Sequence, residues 1–158
     1  MHTDRLQQLL DIALQSGIQV STGDPIPDSI IDDAQSLLSV IFPQTYRDLL
    51  RKFGYLKIGS EEVLGMDPSL PLTDGTSMVG TTLSYREWYI SNPLDIVIRE
   101  DGFGNSHVLR CSQNLIALDG DVWFVRHEDG SYHDHYPGLY HFFSTMIDSI
   151  RNRASGMD

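Results

Sequence analysis

The chain has 158 residues, 41% of them hydrophobic and 21% charged, a globular composition; at this size area scaling predicts roughly 8,000 Å² of exposed surface after folding. Its 22 acidic and 11 basic residues give a formal net charge of −11, which excludes general binding to a phosphate backbone. The single Cys111 excludes an intrachain disulfide framework and a multi-cysteine cluster, and no apolar run approaches the ~20 residues that cross a bilayer.

The start, Met-His-Thr-Asp-Arg, has no apolar segment behind a basic one, so the expectation is a cytoplasmic domain spanning 1–158. Leu6, Leu9, Leu10, Ala13 and Leu14 recur at helical spacing, with Thr3 or Asp4 as cap and Gly17 beyond the end. Gly23-Asp24-Pro25 and Pro27 mark a turn region. Asp28 or Ser29 can then cap a second helix carrying Ile30, Ile31, Ala34, Leu37 and Leu38. Pro43 suits the first turn of a third helix with Tyr46, Leu49, Leu50 and Phe53 on one face, ended by Gly54.

The period then changes. Tyr55 to Ile58, a Gly59-Ser60 turn and Glu61 to Leu64 predict a β-hairpin, and 66–76 a loop. Met78 to Ile90 reads as a short helix. Ile96 to Ile98, His107 to Leu109 and Val122 to Val125 read as strands, with turn chemistry at Asp101-Gly102-Phe103-Gly104-Asn105 and Asp129-Gly130. Leu139, Phe142, Phe143, Met146, Ile147 and Ile150 give the strongest amphipathic pattern, a helix over 138–152 with Arg151 and Arg153 at its end. This order predicts an α+β fold: one mainly antiparallel sheet packed with N-terminal helices and a C-terminal amphipathic helix.

Motifs of catalysis are sparse. His127, His133, His135 and His141 cluster, and His133 and His135 would share a strand face as a metal clamp, the basis for reading the chain as a small metal-dependent hydrolase. No third ligand is fixed by the spacing, and solvent-facing histidines at a turn explain the segment as well. The expectation is therefore no metal, no cofactor and no catalytic residues. Asp-Gly-x-Gly-Asn lacks the acidic ladder of a calcium loop, Gly102-Phe103-Gly104 is no dinucleotide fingerprint, and a lone Cys111 beside Val108 and Leu109 is ordinarily a small buried residue.

Phe42-Pro43-Gln44-Thr45-Tyr46-Arg47-Asp48-Leu49-Leu50-Arg51-Lys52-Phe53-Gly54 resembles the signature of the SUKH superfamily, which takes in the yeast cell-wall-assembly regulator domain and many bacterial toxin-immunity proteins. Glu61 to Gly65, Ile96 to Ile98 with Asp101 to Asn105, and Tyr140-His141-Phe142-Phe143 with Met146-Ile147 follow in family order, so the likeness covers about residues 25–150. Phe42, the Phe53-Gly54-Tyr55 run and Leu139-Tyr140 depart from the usual pattern. The resemblance implies a SUKH-like fold and a non-catalytic, protein-binding role, as a bacterial immunity protein that neutralises a cognate toxin or as a regulatory adaptor for an endogenous protein.

Charge supports the same class of partner, a protein with a basic surface, because an acidic surface accelerates and selects such encounters. The predicted binding residues are Glu61, Glu62, Asp67 and Asp74 of the hairpin and its following loop, with Tyr55 and Trp88 as aromatic anchors. The turn acids Glu100, Asp101, Glu128 and Asp129 are the rival set.

Overall fold

A computed structural model describes residues 2–156, with the side chains of His2 and Thr3 outside the described part. Its helices are α1 (His2–Gln15), α2 (Asp28–Leu38), α3 (Gln44–Phe53), α4 (Met78–Trp88) and α5 (Leu139–Ala154). The strands are β1 (Val20–Thr22), β2 (Leu56–Ile58), β3 (Glu61–Val63), β4 (Asp95–Glu100), β5 (Ser106–Arg110), β6 (Val122–Val125) and β7 (Tyr132–Tyr136). The expected caps at both early helices fall inside them: α1 begins before Thr3 and Asp4, and Pro27, with no side-chain bond to give, precedes α2.

The expected α+β class holds, but its single sheet is two antiparallel sheets, β1-β2-β3 and β4-β5-β6-β7. They meet where the Leu64 N–H donates to the Ile98 carbonyl at 2.7 Å, beside an irregularity in β4 between Val97 and Arg99. The surface exposes 8110 Å², as the chain's size predicted.

One cluster of buried side chains runs from Leu6 in α1 to Ile147 in α5. On α3 the expected stripe of Tyr46, Leu49, Leu50 and Phe53 is buried, and the Tyr46 hydroxyl donates to the Leu64 carbonyl at 2.7 Å, tying α3 to the end of the hairpin. Gly54 ends the helix with φ of 73°, and a Cβ there would strike the Asp24 carbonyl. Both the backbone sign and the space demand glycine at this reversal.

The larger sheet is covered on both faces by different helices. Along β5, Ser106, Val108 and Arg110 point one way and His107 and Leu109 the other. On the first side, α4 lies over β4: Thr82 Oγ1 accepts from the Val97 N–H at 2.9 Å, and the Tyr85 hydroxyl donates to Glu100 at 2.7 Å. On the second side, the His107 ring meets Phe142 of α5 at 4.8 Å between centroids. Within the first side, buried Asp95 accepts from Arg110 and from the Tyr132 hydroxyl at 2.6 Å, so its charge is matched by a guanidinium and two kinds of donor.

Candidate partner-binding face

The last turn of α4 is fixed from beneath. Tyr85 is buried, and Arg86 reaches the carbonyls of Leu38 and Pro93, each at 2.8 Å. With those neighbours turned inward, Trp88 projects outward and is 75% exposed. Tyr89 follows, half open, its ring edge-on to Tyr85 at 5.2 Å and to His127 at 6.3 Å.

His127 links this helix end to two hairpin turns. Asn105 Oδ1 accepts from the His127 backbone N–H at 3.1 Å and lies 3.0 Å from its Nδ1. Asn105 in turn donates through its side chain and its backbone to Asp101, which also accepts from the Phe103 N–H at 2.8 Å. The Asp-Gly-Phe-Gly-Asn turn is therefore held rigidly against the β6–β7 turn, and Phe103 stands at its tip, 82% exposed. A groove of about 420 Å³ lies between the end of α4 and His127–Gly130.

Glu87, Glu128 and Asp129 line this groove with Trp88 and Tyr89, while Glu100 accepts from Tyr85 and Asp101 lies in the adjoining turn that carries Phe103. The nearby cations are committed: Arg126 pairs with Glu128 at 3.3 Å, and Arg86 is bound to the two carbonyls. Burial works to raise the Asp101 carboxyl, but bonds from Asn105 and Phe103 outweigh it and hold the group below its ordinary value. Bonds from the Ser131 hydroxyl and N–H do the same for Asp129. Burial, then the Glu100 carboxylate beside it, pushes the Tyr85 hydroxyl up, so it stays a donor. The face thus offers rigid aromatic area rimmed by acceptors and negative charge, which suits a cationic surface.

The residues singled out from the sequence divide between two places. Tyr55 closes over Gly23 beside the hairpin, and Glu61 and Glu62 lie on β3. Asp67 and Asp74 lie in the loop before α4, each bound by the residue two positions on: Ser69 for the first, Thr76 for the second. Trp88 is at the opposite end of α4, whose 11 residues span ~16 Å, and sits with the rival acids instead. Glu61 is turned inward, its side chain 15% exposed, bound by Arg99 at Nε (2.9 Å) and Nη2 and by Arg153 at 3.3 Å. Burial alone would raise its pKa; the two guanidiniums reverse that and lower it. Glu62 is exposed, directly across the ladder from Lys57.

The histidines do not share a strand face. The register slips between Val122 and Phe124, and Asp134 has φ of 48°. His133 consequently pairs with Phe124, whereas His135 stacks on Trp123 at 4.4 Å and meets Asp121 at 3.1 Å on the opposite face. Among the described residues no group of three or more His, Cys, Asp or Glu is placed to hold a metal ion. Cys111 is buried, and burial pushes its thiol up, away from the reactive thiolate.

Sequence reasoning did not single out Tyr89 or Phe103. Phe103 carried a local signal, a large aromatic in a turn of small polar residues where no core requires it. Tyr89 carried none, since its role comes from a partner 38 positions away in the chain.

Comparison with known families gives a match of residues 6–148 to the family described as SUKH_5, SMI1-KNR4 cell-wall. No curated protein matches the chain. No helix among the described residues is long and apolar enough to cross a membrane.

Proposed function

Since the chain belongs to the SMI1-KNR4 cell-wall family of SUKH domains, we propose that it is a non-catalytic protein-binding domain, and specifically an immunity protein that occludes a basic groove of a cognate bacterial toxin. The observation that carries this reading is the groove in which exposed Trp88 and Tyr89 stand with Glu87, Glu128 and Asp129, beside the turn that exposes Phe103 and is tied to it through His127. Aromatic side chains supply most of the energy of such contacts, and ionised acids supply rate and selectivity. A nuclease or deaminase toxin needs a basic substrate groove, and this face is complementary to one.

The hairpin set of Tyr55, Glu61, Glu62, Asp67 and Asp74 is the weaker candidate. Glu61 is satisfied by two guanidiniums and Glu62 faces Lys57, which leaves Asp67 and Asp74, bound by Ser69 and Thr76, as the acids of this set with no cation beside them among the described ion pairs. The cell-wall description of the family favours a second reading, in which the same face docks an endogenous regulatory partner.

The test is a growth assay. Each reading frame neighbouring the gene is expressed alone and with this chain, and one is expected to arrest growth unless the wild-type chain is present. Trp88→Ala with Phe103→Ala is expected to abolish protection while leaving the circular-dichroism spectrum and melting temperature in place. A toxin neutralised equally by the double variant overturns the site. A stoichiometric partner that arrests nothing overturns immunity in favour of the adaptor.

A further inference from the structure

On the far side of the larger sheet from α4 a second concavity opens between the sheet and α5. It has a volume of about 480 Å³, within the range of small-molecule sites, and is lined by Glu61, Arg99, His107, Tyr136, Phe142 and Arg153 among others. Its lining carries two guanidiniums against one carboxylate, so it is locally positive in a chain of net charge −11.

The donors left over are the informative part. Arg99 spends Nε and Nη2 on Glu61 and directs Nη1 at His107 Nδ1, 3.3 Å away. A guanidinium has five N–H groups, so two remain. Arg153 spends one on Glu61 and keeps the rest. Because Arg99 can only donate, His107 Nδ1 is the acceptor and the proton of the neutral ring is on Nε2, for which no partner exists among the described residues. Burial first, then the Arg99 charge, lowers the His107 pKa to about 4, so the ring is neutral at physiological pH. Beside these donors lies an aromatic wall of mutually inclined rings: His107 meets Phe142 at 4.8 Å and Tyr136 at 6.0 Å, and Tyr136 meets Phe142 edge-on at 5.5 Å. Thr145, Ser149 and Asn152 give α5 a polar stripe along the same cleft.

We propose that this cleft binds a small molecule in which one oxyanion, a carboxylate or a phosphate monoester, is joined to a planar ring. The oxyanion lies against Arg99, Arg153 and the His107 Nε2–H, and the ring lies against Tyr136 and Phe142. The site is separate from the aromatic and acidic face and stands whether or not that face binds a toxin.

The experiment is an NMR titration of the full ¹⁵N-labelled chain. The probes are 4-hydroxyphenylacetate and adenosine monophosphate, each beside its uncharged counterpart, 4-hydroxyphenylethanol and adenosine. The expected result is saturable shifts at His107 and at the amides of Thr145, Ser149 and Asn152 with at least one charged probe. Affinity is expected to fall at least about tenfold for its uncharged counterpart and for Arg153→Gln, a position whose side chain is 51% exposed. Trp88→Ala is expected to leave these shifts unchanged. Which charged probe binds distinguishes a carboxylate ligand from a phosphate one. No saturation by either at millimolar concentration, equal binding of an uncharged counterpart, or shifts centred outside the cleft overturns the proposal.

Discussion

The hairpin end and the α4 end of the molecule are both rich in acids, and they use them in opposite ways. In the hairpin Glu61 is drawn inward between Arg99 and Arg153, and Glu62 faces Lys57 across the ladder. At the α4 end Glu87, Glu128 and Asp129 line a groove with the exposed rings of Trp88 and Tyr89, Arg126 pairs with Glu128, and Arg86 is held by two backbone carbonyls. A count of acids along the chain makes the two regions look equivalent. Pairing separates them: Glu61 is held by two guanidiniums, whereas at the α4 end a guanidinium pairs only with Glu128 among the described ion pairs.

Both ends depend on one core, and the largest expected effect tests that dependence. Leu50→Ala and Phe143→Ala, at buried positions on α3 and α5, are each expected to cost about 2–5 kcal/mol. Urea titration followed by the fluorescence of Trp88 and Trp123 and by far-ultraviolet ellipticity should give one shared, lowered midpoint. Separate midpoints would mean that the two ends melt independently.

The second test is acid. His107 is neutral in the fold down to about pH 4, whereas the unfolded residue takes up its proton near 6.5. Between those values the unfolded state binds more protons, so stability falls as pH drops, by about 3 kcal/mol in all from this group. Glu61, whose pKa is lowered in the fold, adds a loss that begins only below the ordinary carboxylate range. Denaturation midpoints measured from pH 7 to pH 4 should decline in the wild type and much less in His107→Gln. An equal decline in both would move the acid sensitivity away from the cleft.

Trp88→Ala should weaken the partner complex by about 2 kcal/mol with no measurable change in stability, read by calorimetry against the partner that the growth assay identifies. Glu61→Gln should do the reverse, costing about 1–2 kcal/mol of stability because Arg99 loses its counterion, while the association rate is unchanged. The smallest expected effect is Glu128→Gln: stability within about 0.5 kcal/mol and a slower association at low salt that vanishes at high salt.

Helices carried by apolar period were legible from the residues alone, as were the β2–β3 hairpin and the glycine that ends α3. β1 was not, because three residues, two of them exposed, have no period to read. β7 was anticipated only as a strand face shared by His133 and His135, and the slip of register at Asp134, which no residue pattern announces, separates the two. Two sheets rather than one could not be foreseen, since strand neighbours are chosen by packing across the fold. The residue types at the binding face were partly legible. Trp88 was grouped with the hairpin and loop acids, but α4 carries it ~16 Å from the loop that precedes the helix. The inward turn of Glu61 depends on arginines 38 and 92 positions away, a spacing that no local pattern reports.

The slip at Asp134 has a consequence for behaviour in a crowded solution. β7 ends the four-stranded sheet, and a regular row of free N–H and C=O groups there would template strand addition by another copy of the chain. Asp134 and its left-handed backbone break that row, and a charged side chain stands at the break. At the other margin Leu64 already occupies the Ile98 carbonyl of β4. Neither margin of this sheet offers a straight template to which a strand of another copy could be added.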